Sequence, residues 1–197
     1  MAALSARLGL VGMWGGILYQ QGYDVSEQRD FLADRFLASD ATHLFFVDDD
    51  MGFRPDLVER KLAHRQPLVA TACPHRAEGN RFNVLGAKDK EGAFIRAEAC
   101  GAGLMLIARE VFERKLRESE VPEYVQHGPE RKRLRAFFRR ASRTNGERIP
   151  EDWSFCLRWG LLGGETWVYT EAMVEHVGPH VFRGRYADAF KEKVSAP

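Results

Sequence analysis

Three adjacent carboxylates, Asp48-Asp49-Asp50, follow directly on the apolar run Thr42-His43-Leu44-Phe45-Phe46-Val47. In an extended backbone, residues two apart point the same way, so Asp48 and Asp50 can converge on one point. Neighbouring carboxylates repel unless something neutralises them. A converging pair therefore suits a hard cation such as Mg²⁺ or Mn²⁺, which can also hold the phosphates of a nucleotide. The plainer reading is a solvated acidic loop that caps the helix opened by Pro55. A second pair, Glu151-Asp152, precedes the apolar stretch Trp153–Trp159. Carboxylates are expected there on helix-capping grounds, a strong reading, while as a second acidic pair at a helix start in the same sheet they can also supply a general base or hold an acceptor hydroxyl across the site from the metal. His176, two residues before Gly178, is a candidate third metal ligand, and His180 competes for the role.

A basic run, Arg131, Lys132, Arg133, Arg135, Arg139, Arg140 and Arg143, is interleaved with Leu134, Phe137, Phe138 and Ala141. That spacing predicts an amphipathic helix with its apolar stripe on the core and its cations in solvent. A groove for nucleic acid or for a phosphate-rich acceptor is the sharper alternative. Cys100 reads as a small buried residue among glycines. Cys73 is followed by Pro74, His75 and Arg76, a more chemical setting, but it lacks the partner spacing of a metal site.

These groups need a scaffold, and 197 residues with 45% hydrophobic and 29% charged content suffice for a single globular domain spanning 1–197. Lys plus Arg at 29 against Asp plus Glu at 28 leaves a net charge of +1, so no global field draws the chain to nucleic acid or an anionic membrane. Three cysteines make no disulfide framework, which points to a reducing, cytoplasmic setting. The opening apolar run Leu8–Leu18 is broken by Gly12, Gly15 and Gly16, so no membrane span is expected.

Ser26 is read as the N-cap of a helix running to about Ala38, and 42–47 as a buried strand. A helix opened by Pro55 leads to a strand at Leu68–Cys73. The stretch 74–96 reads as a long connection with a hairpin near Lys88–Gly92. A strand at Leu104–Ala108 and a helix at Arg109–Glu118 follow, then an irregular 121–150, a helix at Trp153–Trp159 and a strand at Trp167–Tyr169. The tail is ordered from His176 and thins after Phe190. Leu8–Trp14 fits either a strand or the end of a short helix. This alternation predicts an α/β layered fold with a mainly parallel sheet.

Five motifs stand in order between about Gly22 and Gly184: Gly22-Tyr23-Asp24-Val25 with Arg29, the segment 42–50, Gly101-Ala102-Gly103-Leu104-Met105-Leu106-Ile107, Glu151-Asp152-Trp153-Ser154-Phe155-Cys156, and His176-Val177-Gly178. Together they resemble a GT-A type nucleotide-sugar glycosyltransferase of the small bacterial, phage or large-virus kind, with its DXD motif. The resemblance implies a Rossmann-like three-layer sandwich and transfer of a sugar from a UDP- or GDP-type donor to a hydroxyl acceptor such as a glycan. It implies that Arg29, Asp48 and Asp49 face the donor, and that Asp50 and His176, with Asp48, serve the Mn²⁺ or Mg²⁺ ion. Asp152 or Glu151 would face the acceptor. A cation there stabilises the charge that grows on the departing diphosphate.

The chain departs from the family pattern at its start, where no Pro-Thr-type first strand precedes the helix; it begins late or uses Leu8–Met13 in that place. A binding module, either an idle GT-A relative or a nucleic-acid protein using 131–143, is the alternative from another class. A metal phosphohydrolase ranks third, since no glycine-rich phosphate cradle is present.

Overall fold

The structure, a computed structural model, describes residues 2–13, 15–22, 24–76, 81–126 and 131–189. It opens with α1 (Ala2–Leu10) and α2 (Val25–Leu37), followed by β1 (His43–Val47), β2 (Met51–Gly52), α3 (Leu57–Ala63) and β3 (Leu68–Thr71). Short strands β4 (Val84–Leu85) and β5 (Lys90–Glu91) lead to β6 (Phe94–Ala97), β7 (Ala99–Cys100), β8 (Leu104–Ala108) and α4 (Arg109–Glu118). Two small hairpins come next, β9 (Glu123–Val125) with β10 (Arg133–Arg135) and β11 (Ala141–Ser142) with β12 (Arg148–Ile149). The chain closes with α5 (Glu151–Leu161), β13 (Thr166–Tyr169), β14 (Met173–Val177) and β15 (Val181–Arg185). Phe190 onward, where the sequence suggests a thinning tail, lies outside the described residues.

Six strands form the main sheet in the order β1-β8-β3-β13-β6-β5. β3, β8 and β13 are the apolar centre: every residue of β3 and β13, and Leu104 to Ile107 of β8, is buried. Strands covered on both faces read as continuous apolar runs, which is why they stand out in the sequence. Successive residues of β8 fall in different apolar clusters. Met105 joins Phe36 of α2, Phe112 of α4 and Phe155 of α5. Leu104 joins Leu57 of α3 and Val174 of β14. The sheet is therefore clothed on one face by α2, α4 and α5, and on the other by α3 and the three-stranded sheet β15-β14-β2.

The expectation of a mainly parallel sheet is corrected: among the described residues of this sheet only β3–β13 is parallel, and β1–β8, β8–β3, β13–β6 and β6–β5 are antiparallel. The strand-helix-strand unit β1–α3–β3 does keep β1 and β3 pointing the same way, but β8 is inserted between them in reverse. The turn through Gly101 and Gly103 starts β8 beside the end of β1, pairing Val47 with Leu104. Alternation of element types carries the direction of a crossover and not the strand that fills the gap it leaves.

Two local expectations are also corrected, the cap of α2 and the form of the basic stretch, and the open choice at Leu8 is decided for the end of a helix. The cap of α2 is Asp24, whose side chain accepts from Ser26 N at 2.7 Å, in place of Ser26 itself. Residues 8–13 form no strand; Leu8–Leu10 end α1, and a turn follows. The basic stretch is extended chain and turn, with no helix, although Leu134, Phe137 and Phe138 are buried as expected. The cause lies on α2, where two carboxylates one turn apart take up its backbone. Asp30 accepts from Phe138 N at 2.8 Å and Tyr124 Oη at 3.1 Å. Asp34 accepts from Arg135 N at 3.0 Å. Those N–H groups are then spent on α2 and unavailable to an internal helix ladder.

Candidate functional site

At the end of β1 a cleft of about 330 Å³ opens, lined by Asp48, Asp50, Met51, Cys73, Pro74, His75, Arg76, Asn83, Gly103, Asp152 and His176. Four residues singled out from sequence thus meet on one wall system: Asp48, Asp50, Asp152 and His176. The convergence of Asp48 and Asp50 arises differently from expectation. β1 ends at Val47, and the aspartates sit in a turn closed by Met51 N donating to Asp48 O at 3.1 Å, so strand alternation plays no part. Asp49 is exposed at that turn and does not line the cleft. His180 is exposed in the β14–β15 turn, away from the lining.

His176 is delivered by β14, which pairs it with Met51 of β2, while Val177 N donates to Asp50 O at 2.8 Å. Its Nδ1 lies 2.8 Å from Pro74 O, an acceptor only, so Nδ1 carries the proton of that contact. Nε2 faces Asp50 Oδ2 at 3.3 Å. A carboxylate oxygen and an imidazole nitrogen this close can share a cation, and an imidazole oriented through its other nitrogen by a carbonyl is the usual form of a metal-ligating histidine. The other oxygen, Asp50 Oδ1, is buried and has no hydrogen-bond partner among the described residues. One carboxylate and one imidazole suit Mn²⁺ or another divalent ion that takes its remaining ligands from water or phosphate. Among the described residues no group of three or more His, Cys, Asp or Glu side chains is gathered for a metal. In this structure the guanidinium of Arg76 pairs with Asp50 Oδ2.

Asp48 is turned elsewhere. Arg29, from α2 and 5% exposed, donates from one terminal nitrogen to both Asp48 oxygens at 3.2 Å. From the other it makes a short contact to Glu151 Oε1. Burial, then the neighbouring Asp152 charge, pushes the Glu151 carboxyl above its ordinary range, and Arg29 pulls the other way. Glu151 is thus committed to holding α2 against α5. Its partner Asp152 accepts from Trp153 N at 2.7 Å and from Ala102 N at 3.2 Å while still lining the cleft. Gly103 forms the floor: a Cβ there would stand 3.1 Å from Asp48 Oδ2.

Sequence reasoning missed Arg76 and Asn83. Asn83 Oδ1 accepts from Cys73 N at 2.8 Å, and its amide occupies the space that any side chain at residue 101 would need, so Gly101 is required there. The available signal was the Cys73-Pro74-His75-Arg76 run at the end of a buried strand. Cys73 itself is inert, its thiol pushed up to about 12 chiefly by burial. All three cysteines are free and buried.

The basic segment is largely neutralised in place. Arg133 pairs with Glu123 at 3.3 Å, Arg135 with Asp34 at 2.5 Å, Arg140 with Asp24 at 3.3 Å and Arg143 with Glu147 at 3.2 Å. Arg139 donates to Glu120 O at 3.4 Å. Among the described residues no helix is long and apolar enough to cross a membrane.

No protein-family profile matches the chain, and no curated protein sequence does. Among solved structures the chain is similar to A197 from STIV, with a TM-score of 0.51 and 19% identity over 94% of this chain and 84% of that one. At that identity the likeness is one of fold alone.

Proposed function

We propose that this chain is a metal-dependent glycosyltransferase of GT-A type, moving a sugar from a nucleoside diphosphate donor to a hydroxyl acceptor. The observation that carries the reading is the Asp50–His176 pair, an imidazole Nε2 and a carboxylate oxygen 3.3 Å apart with the far imidazole nitrogen anchored to Pro74 O. Asp50 and His176 would hold Mn²⁺ or Mg²⁺. When bound, that ion would offset the negative charge developing on the leaving diphosphate. Asp48, fixed by Arg29, presents a carboxylate edge toward the sugar or ribose hydroxyls of the donor. Asp152 lies on the same cleft from the α5 side and serves the acceptor, as a general base or as an orienting acceptor of its hydroxyl proton. Glu151 has a positioning role through Arg29.

The test is calorimetry with UDP and GDP, with and without Mn²⁺. Nucleotide binding is expected to depend on Mn²⁺, to vanish in Asp50→Ala and to weaken more than about tenfold in His176→Ala, a change of ~1.4 kcal/mol. Asp49→Ala and His180→Ala should stay within about threefold of the parent chain, their side chains being outside the cleft. Equal losses at Asp49 and Asp50 would remove the metal assignment.

A second reading, a relative that binds nucleotide without turnover, is favoured by one observation. Residues 8–13 form no strand ahead of α2, so the wall that the family uses for the base is not built from them. Turnover of the donor separates the two.

A further inference from the structure

We propose that Arg76 is the resident counter-cation of the metal position: a divalent ion must displace it from Asp50, and the freed guanidinium is taken up by the phosphate that arrives with the ion. Metal and phosphate then bind in concert. This rests on the metal-site reading above and adds to it a residue that gates the site.

The argument starts from the Asp50 carboxylate. Oδ2 is shared by the Arg76 guanidinium and His176 Nε2, while Oδ1 is buried with no partner among the described residues. A metal coordinated by Asp50 and His176 would place a double positive charge against that guanidinium, and like charges in a partly desolvated cleft repel. Arg76 therefore opposes the bare ion. It is also equipped to move: its side chain is 45% exposed against 26% for Asp50. Its stem runs past Gly178 in the β14–β15 turn, where an added Cβ would lie 3.6 Å from both Cδ and Nε. Once released within a cleft whose other charged walls are Asp48 and Asp152, the guanidinium has a planar fork of donors suited to a phosphate. A diphosphate both neutralises Arg76 and ligates the metal. The two ligands are then linked, each raising the affinity for the other by the same factor.

The experiment measures free Mn²⁺ by electron paramagnetic resonance in titrations of the parent chain, Arg76→Gln, Arg76→Lys and Asp50→Ala. Each is run alone and with inorganic pyrophosphate, with protein-free titrations to account for the Mn²⁺–pyrophosphate complex. The expected result is weak Mn²⁺ binding by the parent chain alone, strengthened about tenfold or more by pyrophosphate. Arg76→Gln should bind Mn²⁺ alone at least fivefold tighter and lose at least fivefold of the enhancement. Arg76→Lys, which keeps the charge, should stay nearer the parent. If Arg76→Gln lies within twofold of the parent in both quantities while Asp50→Ala loses the ion, the metal site stands and the role of Arg76 is overturned. If neither the parent chain nor Arg76→Gln takes up Mn²⁺ under either condition, the metal site and the gate fall together.

Discussion

Asp152 sits where two explanations of a carboxylate overlap, since it receives the N–H of Trp153 in the first turn of α5 and also faces the cleft. The two explanations differ in what its charge is for. If it serves the acceptor, Asp152→Asn, which keeps the shape, should lower transfer by about 10² to 10⁴. Nucleotide and Mn²⁺ affinity should remain within a few fold. Glu151→Gln should act instead on stability, through the buried Arg29 contact. Near-parental transfer by Asp152→Asn, measured alongside nucleotide binding, would reduce the residue to a helix-terminal carboxylate. Asp48, Asp50, Asp152 and His176 were legible in the sequence because carboxylates and imidazoles stand out beside apolar runs. Asn83 was not, because an asparagine in a polar loop has no distinguishing neighbours, and Arg76 was visible only as the end of the Cys73-Pro74-His75-Arg76 run, with no role read from it. Their importance comes from long-range placement against Asp50 and Cys73. The role expected of Glu151 was half legible: its neighbourhood was right, but only the fold shows it spent on Arg29.

Among the elements, α2 does more than pack. Asp30 is buried and joins it to the former candidate helix by accepting from Phe138 N and Tyr124 Oη. Burial raises its carboxyl from 3.8 to about 7, against the opposing effect of those two hydrogen bonds. The folded chain therefore binds a proton at Asp30 that the unfolded chain has released between those values. Its contribution to stability is greatest below the lower value and declines as pH rises through the window. Urea unfolding from pH 4.5 to 7.5 should show this decline in the parent chain and a flatter profile in Asp30→Asn. Identical slopes would mean that Asp30 stays ionised. Central strands were legible from continuous apolar runs, and β8 and α4 fall where the sequence places them. The basic stretch was misread because Leu134, Phe137 and Phe138 satisfy a helical spacing. Backbone N–H bonds donated to Asp30 and Asp34, about a hundred residues away, hold the same three side chains in the core as extended chain and turn. Strand order was invisible for a related reason: nothing local says that β8 will enter between β1 and β3.

For the whole molecule, a net charge of +1 and the ion pairs along 131–143 weaken the polynucleotide reading of that segment. Binding to RNA or DNA near physiological salt is expected to be weaker than micromolar. Submicromolar binding lost on charge reversal of Arg135 and Arg139 would contradict this, since phosphate contacts make affinity fall steeply with salt. The fold places a carboxylate-imidazole pair, an arginine-fixed aspartate and a second carboxylate around one cleft at the end of β1, the residues on which the proposed transfer rests. The most direct measurement is release of free sugar from a panel of UDP- and GDP-sugars, without acceptor, followed over hours with Mn²⁺ or with chelator. The account predicts slow hydrolysis of at least one donor that requires the metal and disappears in Asp50→Ala; no Mn²⁺-dependent release from any donor, or release that survives Asp50→Ala, would contradict it.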